Sequence, residues 1–165
     1  MIINHPKEVA LYIKEYYSSN KLYLTSGGFD PMHVGHLRCI KKTAELAQTN
    51  NGIVIIVVNG DGFLQRKKGY SFMPEPERME IIDGIGGVDI VTAWDDGSQF
   101  VTGAIDIIRP NYFTKGGDRT SAANVPEFKL CQEIGCEVIF NVGGGKIQSS
   151  STLVSNMKKY RISNS

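Results

Sequence analysis

The chain has 165 residues, with 18 Lys and Arg against 17 Asp and Glu and a formal charge of +1. That length fits one domain, residues 1–165, with a core of its own, and the near-neutral balance lacks the basic face of a nucleic-acid binder. Cys39, Cys131 and Cys136 are odd in number and lack metal-ligand spacing, so reduced thiols in a cytoplasmic protein are expected.

No apolar stretch approaches the ~20 residues of a membrane span. The N-terminus carries Lys7, Glu8, Lys14 and Glu15 in place of the apolar core of a signal peptide. Val9, Ala10, Ile13, Tyr16 and Tyr17 fall at helical spacing. They predict an amphipathic helix over 6–19, within an N-terminal segment, 1–20, that packs on the domain. A short strand over 21–25 follows, then a glycine-rich turn. Leu37, Ile40, Ala44 and Ala47 predict a helix from about Gly35 to the stop signal Thr49-Asn50-Asn51-Gly52.

Ile53 to Val58 is apolar on both faces and β-branched throughout, the pattern of a central parallel strand covered on both sides. Residues 59–73 read as a polar loop, and 75–85 as a helix with Pro76 in its first turn. Next come a strand over 88–92, a helix over 99–108 and a short strand over 112–114. After the loop 115–124, a helix over 126–134 and a strand over 136–140 are predicted. Gly143-Gly144-Gly145-Lys146 then leads to a last helix over 150–160. This alternation predicts an α/β fold, a Rossmann-like doubly wound parallel sheet of about five strands with right-handed crossovers. Ligands of such sheets sit beyond the carboxyl ends of the strands, at the switch point.

The ten residues Gly27-Gly28-Phe29-Asp30-Pro31-Met32-His33-Val34-Gly35-His36 lie between a predicted strand and a predicted helix. A glycine-rich turn at a helix start presents free N–H groups and the positive end of the helix dipole, a seat for phosphate. Two histidines three apart can both face that phosphate, each a donor whose charge can respond near neutral pH. Phosphate binding alone would not need both, so phosphoryl or nucleotidyl chemistry is indicated.

That string resembles the GxFDxxHxGH signature of the cytidylyltransferase-like nucleotidyltransferases, with Gly27 or Gly28, Phe29, Asp30, His33, Gly35 and His36 on its fixed positions. The resemblance implies transfer of a nucleoside monophosphate from a triphosphate to a phosphorylated acceptor. The spacing from Asp61 to Lys68-Gly69, and Lys115-Gly116-Gly117-Asp118 after a strand, resemble the heptose 1-phosphate adenylyltransferase branch. In that branch a tyrosine usually stands where this chain has Arg119. Ser149-Ser150-Ser151 resembles the family's serine–threonine motif at the last helix, with Lys146 in place of the branch's basic residue.

Each of these residues also has a plain reading. Arg66-Lys67-Lys68 is either a solvated charge run or a set of contacts to the β- and γ-phosphates. Arg78 either pairs with a carboxylate on its own helix or, as in the family, lies near the phosphates or supports the lysine loop. Asp118 either caps a turn or fixes a ligand hydroxyl. Ser149 to Ser151 serve as a helix N-cap, as phosphate ligands, or as both.

The resemblance implies a mechanism of positioning and charge stabilisation. An acceptor phosphate oxygen attacks the α-phosphorus in line, and pyrophosphate leaves. His33, His36 and Lys68 are the expected catalytic residues, with Lys67 and Arg66 helping to neutralise the β and γ groups. Mg2+ would be carried mainly by the triphosphate, with no protein cage. The expected reaction joins AMP from ATP to a sugar 1-phosphate, D-glycero-D-manno-heptose 1-phosphate in the branch resembled. The alternatives are a cytidylyltransferase using CTP and glycerol 3-phosphate or a similar polyol phosphate, and a non-catalytic nucleotide-binding module. A binding module would not need both histidines. A homo-oligomer is expected, without nucleic-acid or membrane partners.

Overall fold

The computed structural model describes residues 1–117 and 126–163. The elements are α1 (Pro6–Tyr16), β1 (Lys21–Gly27), α2 (Val34–Gln48), β2 (Gly52–Asn59), α3 (Asp61–Lys68) and α4 (Glu75–Asp83). They continue as β3 (Ile90–Trp94), α5 (Thr102–Ile108), β4 (Tyr112–Thr114), α6 (Pro126–Ile134), β5 (Glu137–Ile139) and α7 (Ser150–Ser163). The five strands form one sheet in the order β3-β2-β1-β4-β5, and every pairing is parallel. The α/β Rossmann-like architecture expected from the alternation is therefore present. Among the described residues, no helix is long and apolar enough to cross a membrane.

The apolar run in β2 works as its pattern predicts. Ile53, Ile55 and Val57 face one core with Val9 and Ile13 of α1, Ala104, Ile105 and Ile108 of α5, and Phe128 and Cys131 of α6. Val54, Ile56 and Val58 face the other with Ile40 and Ala47 of α2 and Met79 and Ile82 of α4. All six strand residues are at most 4% exposed. Burial of each such side chain stabilises the fold by about 1.5–3 kcal/mol, which is why both faces of the strand need helical cover.

The sheet order creates the switch point. From β1 the chain winds outward through β2 to β3, then returns to place β4 on the other side of β1. The carboxyl ends of β1 and β4 therefore open between helices on opposite faces, and ligand-binding loops gather there.

α1 ends at Tyr16 and α5 starts at Thr102, each three residues shorter than predicted, and two further expectations need correction. The stretch 59–73 is not a loop throughout, because Asp61–Lys68 forms α3. This helix opens at Asp61, buries Phe63 and Leu64 and ends on Gly69 at φ 85°, a left-handed conformation suited to glycine. Its remaining residues are polar, so no apolar period marks it. β3 begins two residues later than predicted, because Asp89 serves the preceding turn. Its side chain accepts the Val54 N–H at 2.8 Å, and its carbonyl accepts from the Met1 amine at 2.9 Å.

Candidate active site

The site is assembled on the N-terminus of α2. His33 is the N-cap residue with extended backbone, and its Nδ1 accepts the Gly35 N–H at 3.1 Å. His36 Nδ1 accepts the His33 N–H at 3.2 Å, completing a reciprocal cap of the kind usually made by serine and glutamate. The two rings stack, with centroids 3.7 Å apart and planes 23° off parallel. Phe29, 4% exposed, supports His36 edge-on at 5.0 Å.

This arrangement sets the protonation state. Burial lowers the His33 pKa. Burial first, then the charges of His33 and Lys68, pushes His36 down to about 4. For His36 the expectation that the ring changes charge near neutral pH is thus corrected, and for His33 the lowered pKa moves that change toward acid. Near pH 7 both are neutral, and because each Nδ1 accepts a backbone N–H, each carries its proton on Nε2. The pair is two fixed, neutral N–H donors, stiffened by the helix they cap.

Both histidines border a cavity of about 670 Å3. Its floor is the end of β1, including Thr25 and Gly27, with Gly35 and Cys39 of α2 beside them. Lys115, Gly116 and Gly117 close one side, the loop 142–148 another, and Ser149 and Ser150 a third. Gly143 is required here. It adopts φ 88°, and a Cβ on it would lie 2.7 Å from the backbone of Arg38 and Cys39, so only glycine lets this loop lie on α2. Ser149 caps α7, its Oγ accepting the Thr152 N–H at 3.1 Å, while Ser150 Oγ donates to the Pro31 carbonyl at 2.7 Å. Ser151 is exposed and outside the cavity. Asp118, like Arg119, lies outside the described residues.

Among the readings open for the residues after β2, the structure favours support of the signature turn and of α3. Arg78 is 1% exposed. It donates to the carbonyls of Gly28 at 2.8 Å, Asn59 at 2.6 Å and Met73 at 2.8 Å, and to Asp61 at 2.7 Å. All three guanidinium nitrogens are committed to the protein, so Arg78 braces the signature turn rather than binding nucleotide. Burial raises the Asp61 pKa, but hydrogen bonds from Arg78 and Ser71 outweigh it and leave the value lowered. Asp61 is therefore part of the same brace.

Asp30, 1% exposed, accepts the Phe72 N–H at 2.7 Å and that of Met73. It also pairs with Lys68 at 2.9 Å. Lys68 is thus tethered to the signature turn and does not border the 670 Å3 cavity. Arg66 turns away to Asp95 and the Ser98 carbonyl, so the structure does not bring it to the histidines. Gly28 and Lys67 border a neighbouring cavity.

Several cavity residues carried no signal in the sequence. Thr25, Cys39, Val142, Ile147 and Gln148 line it, but they come from a strand interior, a helix face and a loop with no family motif. Cys39 is kept a thiol by burial, which raises its pKa against hydrogen bonds from Thr25 and Thr43. Among the described residues, no group of three or more His, Cys, Asp or Glu side chains could hold a metal ion.

The glycine–histidine turn of α2 lies where α/β sheets bind their ligands, and the class this defines is the nucleotidyltransferases. Residues 24–155 match the cytidylyltransferase-like family, and the chain belongs to that family. Its relatives include the Bifunctional protein HldE of Geotalea uraniireducens (strain Rf4), 31% identical over 126 residues, or 75% of this chain and 23% of that one. The Bifunctional protein HldE of Pseudomonas putida (strain W619) is 27% identical over 141 residues, 81% of this chain and 27% of that one. The chain thus spans about a quarter of the length of these curated relatives.

Solved structures share the fold. The lipopolysaccharide core biosynthesis protein from Thermoplasma volcanium GSS1 superposes with a TM-score of 0.59 at 19% identity, covering 73% of this chain and 94% of that one. Thermotoga maritima TmcAL bound with alpha-thio ATP superposes with a TM-score of 0.64 at 16% identity, covering 86% and 51%.

Proposed function

We propose that the chain transfers AMP from ATP to a sugar 1-phosphate, with a heptose 1-phosphate as the favoured acceptor, and releases pyrophosphate. The observation that carries this reading is the pair of stacked, neutral histidines on the rim of the cavity shared with Lys115-Gly116-Gly117 and the cap of α7. The KGG sequence after β4, which resembles the heptose branch, favours a sugar phosphate over a polyol-phosphate cytidylyltransferase.

The acceptor phosphate is already anionic, so no strong base is needed. Its oxygen attacks the α-phosphorus in line, the P–O bond to the β-phosphate breaks, and the electron pair leaves with pyrophosphate. His33 and His36 donate through Nε2–H to oxygens that gain charge, a contribution that grows in the transition state. They need neither take up nor release a proton. Lys115 and Lys146, both on the cavity wall, add positive charge near the phosphates. Mg2+ enters with the nucleotide, as part of the MgATP substrate. Lys68 holds Asp30 and contributes its charge at the edge of the site.

The test is pyrophosphate release with ATP, CTP, GTP and UTP, each crossed with sugar 1-phosphates and glycerol 3-phosphate. ATP with a sugar 1-phosphate should be fastest, and chelation of divalent metal should abolish turnover. Preference for CTP and glycerol 3-phosphate would assign the polyol-phosphate reaction instead, and turnover that survives chelation would sink the mechanism.

A further inference from the structure

We infer that a second cavity, beside the first on the face of α5 and α6, reads the hydroxyl groups of the acceptor, with Asn59 and Glu127 as its specificity-determining residues. This rests on the nucleotidyl-transfer reading above and adds to it the part of the site that chooses a polyhydroxylated acceptor.

The second cavity has a volume of about 330 Å3. Ser26, Gly27 and Lys115 belong to both cavities. A ligand in the second therefore meets a ligand in the first across the end of β1, where an attacking phosphate must approach the α-phosphorus. Its other walls come from Asn59 at the end of β2, Lys67 of α3, the segment before α5, and Glu127 in the first turn of α6.

Two of these walls carry unmet hydrogen-bonding capacity. Asn59 is 5% and Glu127 8% exposed. Glu127 Oε1 accepts the Val101 N–H at 3.3 Å, but Glu127 Oε2 and Asn59 Oδ1 have no partner among the described residues. A buried acceptor left unpaired costs about 1–3 kcal/mol; both side chains line the cavity, so a turn of either toward it would bring its oxygen to a ligand hydroxyl and recover that cost. Lys67 is exposed on the same cavity, its Nζ 5.8 Å from the Phe63 ring centroid. Acceptor oxygens deep in the wall and a cation near solvent suit a molecule with several hydroxyls and an anionic phosphate. An alkyl phosphate would leave both oxygens unmet. A quaternary ammonium acceptor would supply no donor to Asn59 and would bring its charge toward Lys67 and Lys115.

Calorimetry on the full chain, saturated with a non-hydrolysable ATP analogue, tests this with α-D-mannose 1-phosphate, ethyl phosphate and choline phosphate. The wild type should bind mannose 1-phosphate at least about tenfold more tightly than either other ester. Glu127→Gln keeps an oxygen for Val101 but sets an amide donor where the free acceptor stood. It should lose about tenfold in mannose 1-phosphate affinity while ethyl phosphate and analogue affinities stay within about twofold. Asn59→Leu, similar in shape, should do the same, and retained analogue binding certifies that either variant is folded.

Unchanged discrimination in both variants, no discrimination in the wild type, or preferred binding of choline phosphate would overturn the inference. Pyrophosphate release as fast with ethyl phosphate as with mannose 1-phosphate would overturn it too, while leaving the reaction intact. Persistent discrimination without pyrophosphate release from any acceptor would support the hydroxyl-reading cavity and refute the reaction.

Discussion

Lys68 Nζ lies 2.7 Å from the Asp30 carbonyl and 2.9 Å from the Asp30 carboxylate, so the end of α3 is fastened to the signature turn. Asp30 also takes the N–H groups of Phe72 and Met73, and Arg78 joins Met73 to Gly28 and Asn59. The turn that carries His33 is therefore held from behind by one hydrogen-bonded unit built from three separate segments. Catalysis by positioning depends on such support, because a small displacement of a donor costs much of its effect.

Lys68→Ala is expected to weaken ATP binding by about tenfold or more and AMP binding far less, since only the triphosphate carries the groups its charge would meet. Calorimetry with both nucleotides measures this. Equal losses for the two would assign Lys68 to bracing Asp30 alone and make Lys67 the next candidate for the phosphates.

His33→Ala and His36→Ala should each lower kcat by about 10²–10³ while nucleotide affinity changes much less, as when a donor to the transition state is removed. Each also deletes half of the α2 cap, so about 1 kcal/mol of stability should go as well. A variant that lost affinity but kept kcat would mean that these rings hold only the ground state.

Acid should destabilise the protein through His36. Its folded pKa is about 4 against an ordinary 6.5, so between those values the unfolded chain binds more protons than the folded one. Stability then rises with pH across that window and is lost as pH falls from 6.5 toward 4. Thermal unfolding of wild type and His36→Asn across pH 4–7 tests the sign. The wild type should lose more on acidification, and parallel curves would contradict the lowered pKa.

Arg78→Met removes a buried cation and strands the carbonyls of Gly28, Asn59 and Met73. Breaking a buried charged network in this way costs on the order of 3–5 kcal/mol. Chemical denaturation should register that loss whether or not nucleotide is present. A variant of wild-type stability with weakened ATP binding would restore Arg78 to the list of phosphate ligands.

What the sequence determined by itself was local or periodic. The both-sided apolar run of β2, the helical spacing in α2 and the glycine–histidine string between strand and helix are written in consecutive residues. They specify a parallel sheet with a glycine–histidine turn at the carboxyl end of β1. Tertiary structure decided whatever depends on partners far along the chain. Arg66 and Asp95 are 29 residues apart and Arg78 and Gly28 are 50 apart, so a run of basic residues could not reveal that two arginines are spent on the protein itself. α3 was hidden because its packing rests on Phe63 and Leu64 alone, too few to make a period. The charge state of His33 and His36 was beyond the sequence for a different reason. A pKa follows from how much water and which charges surround a ring, and folding alone sets the burial and the Lys68 charge that keep His36 neutral.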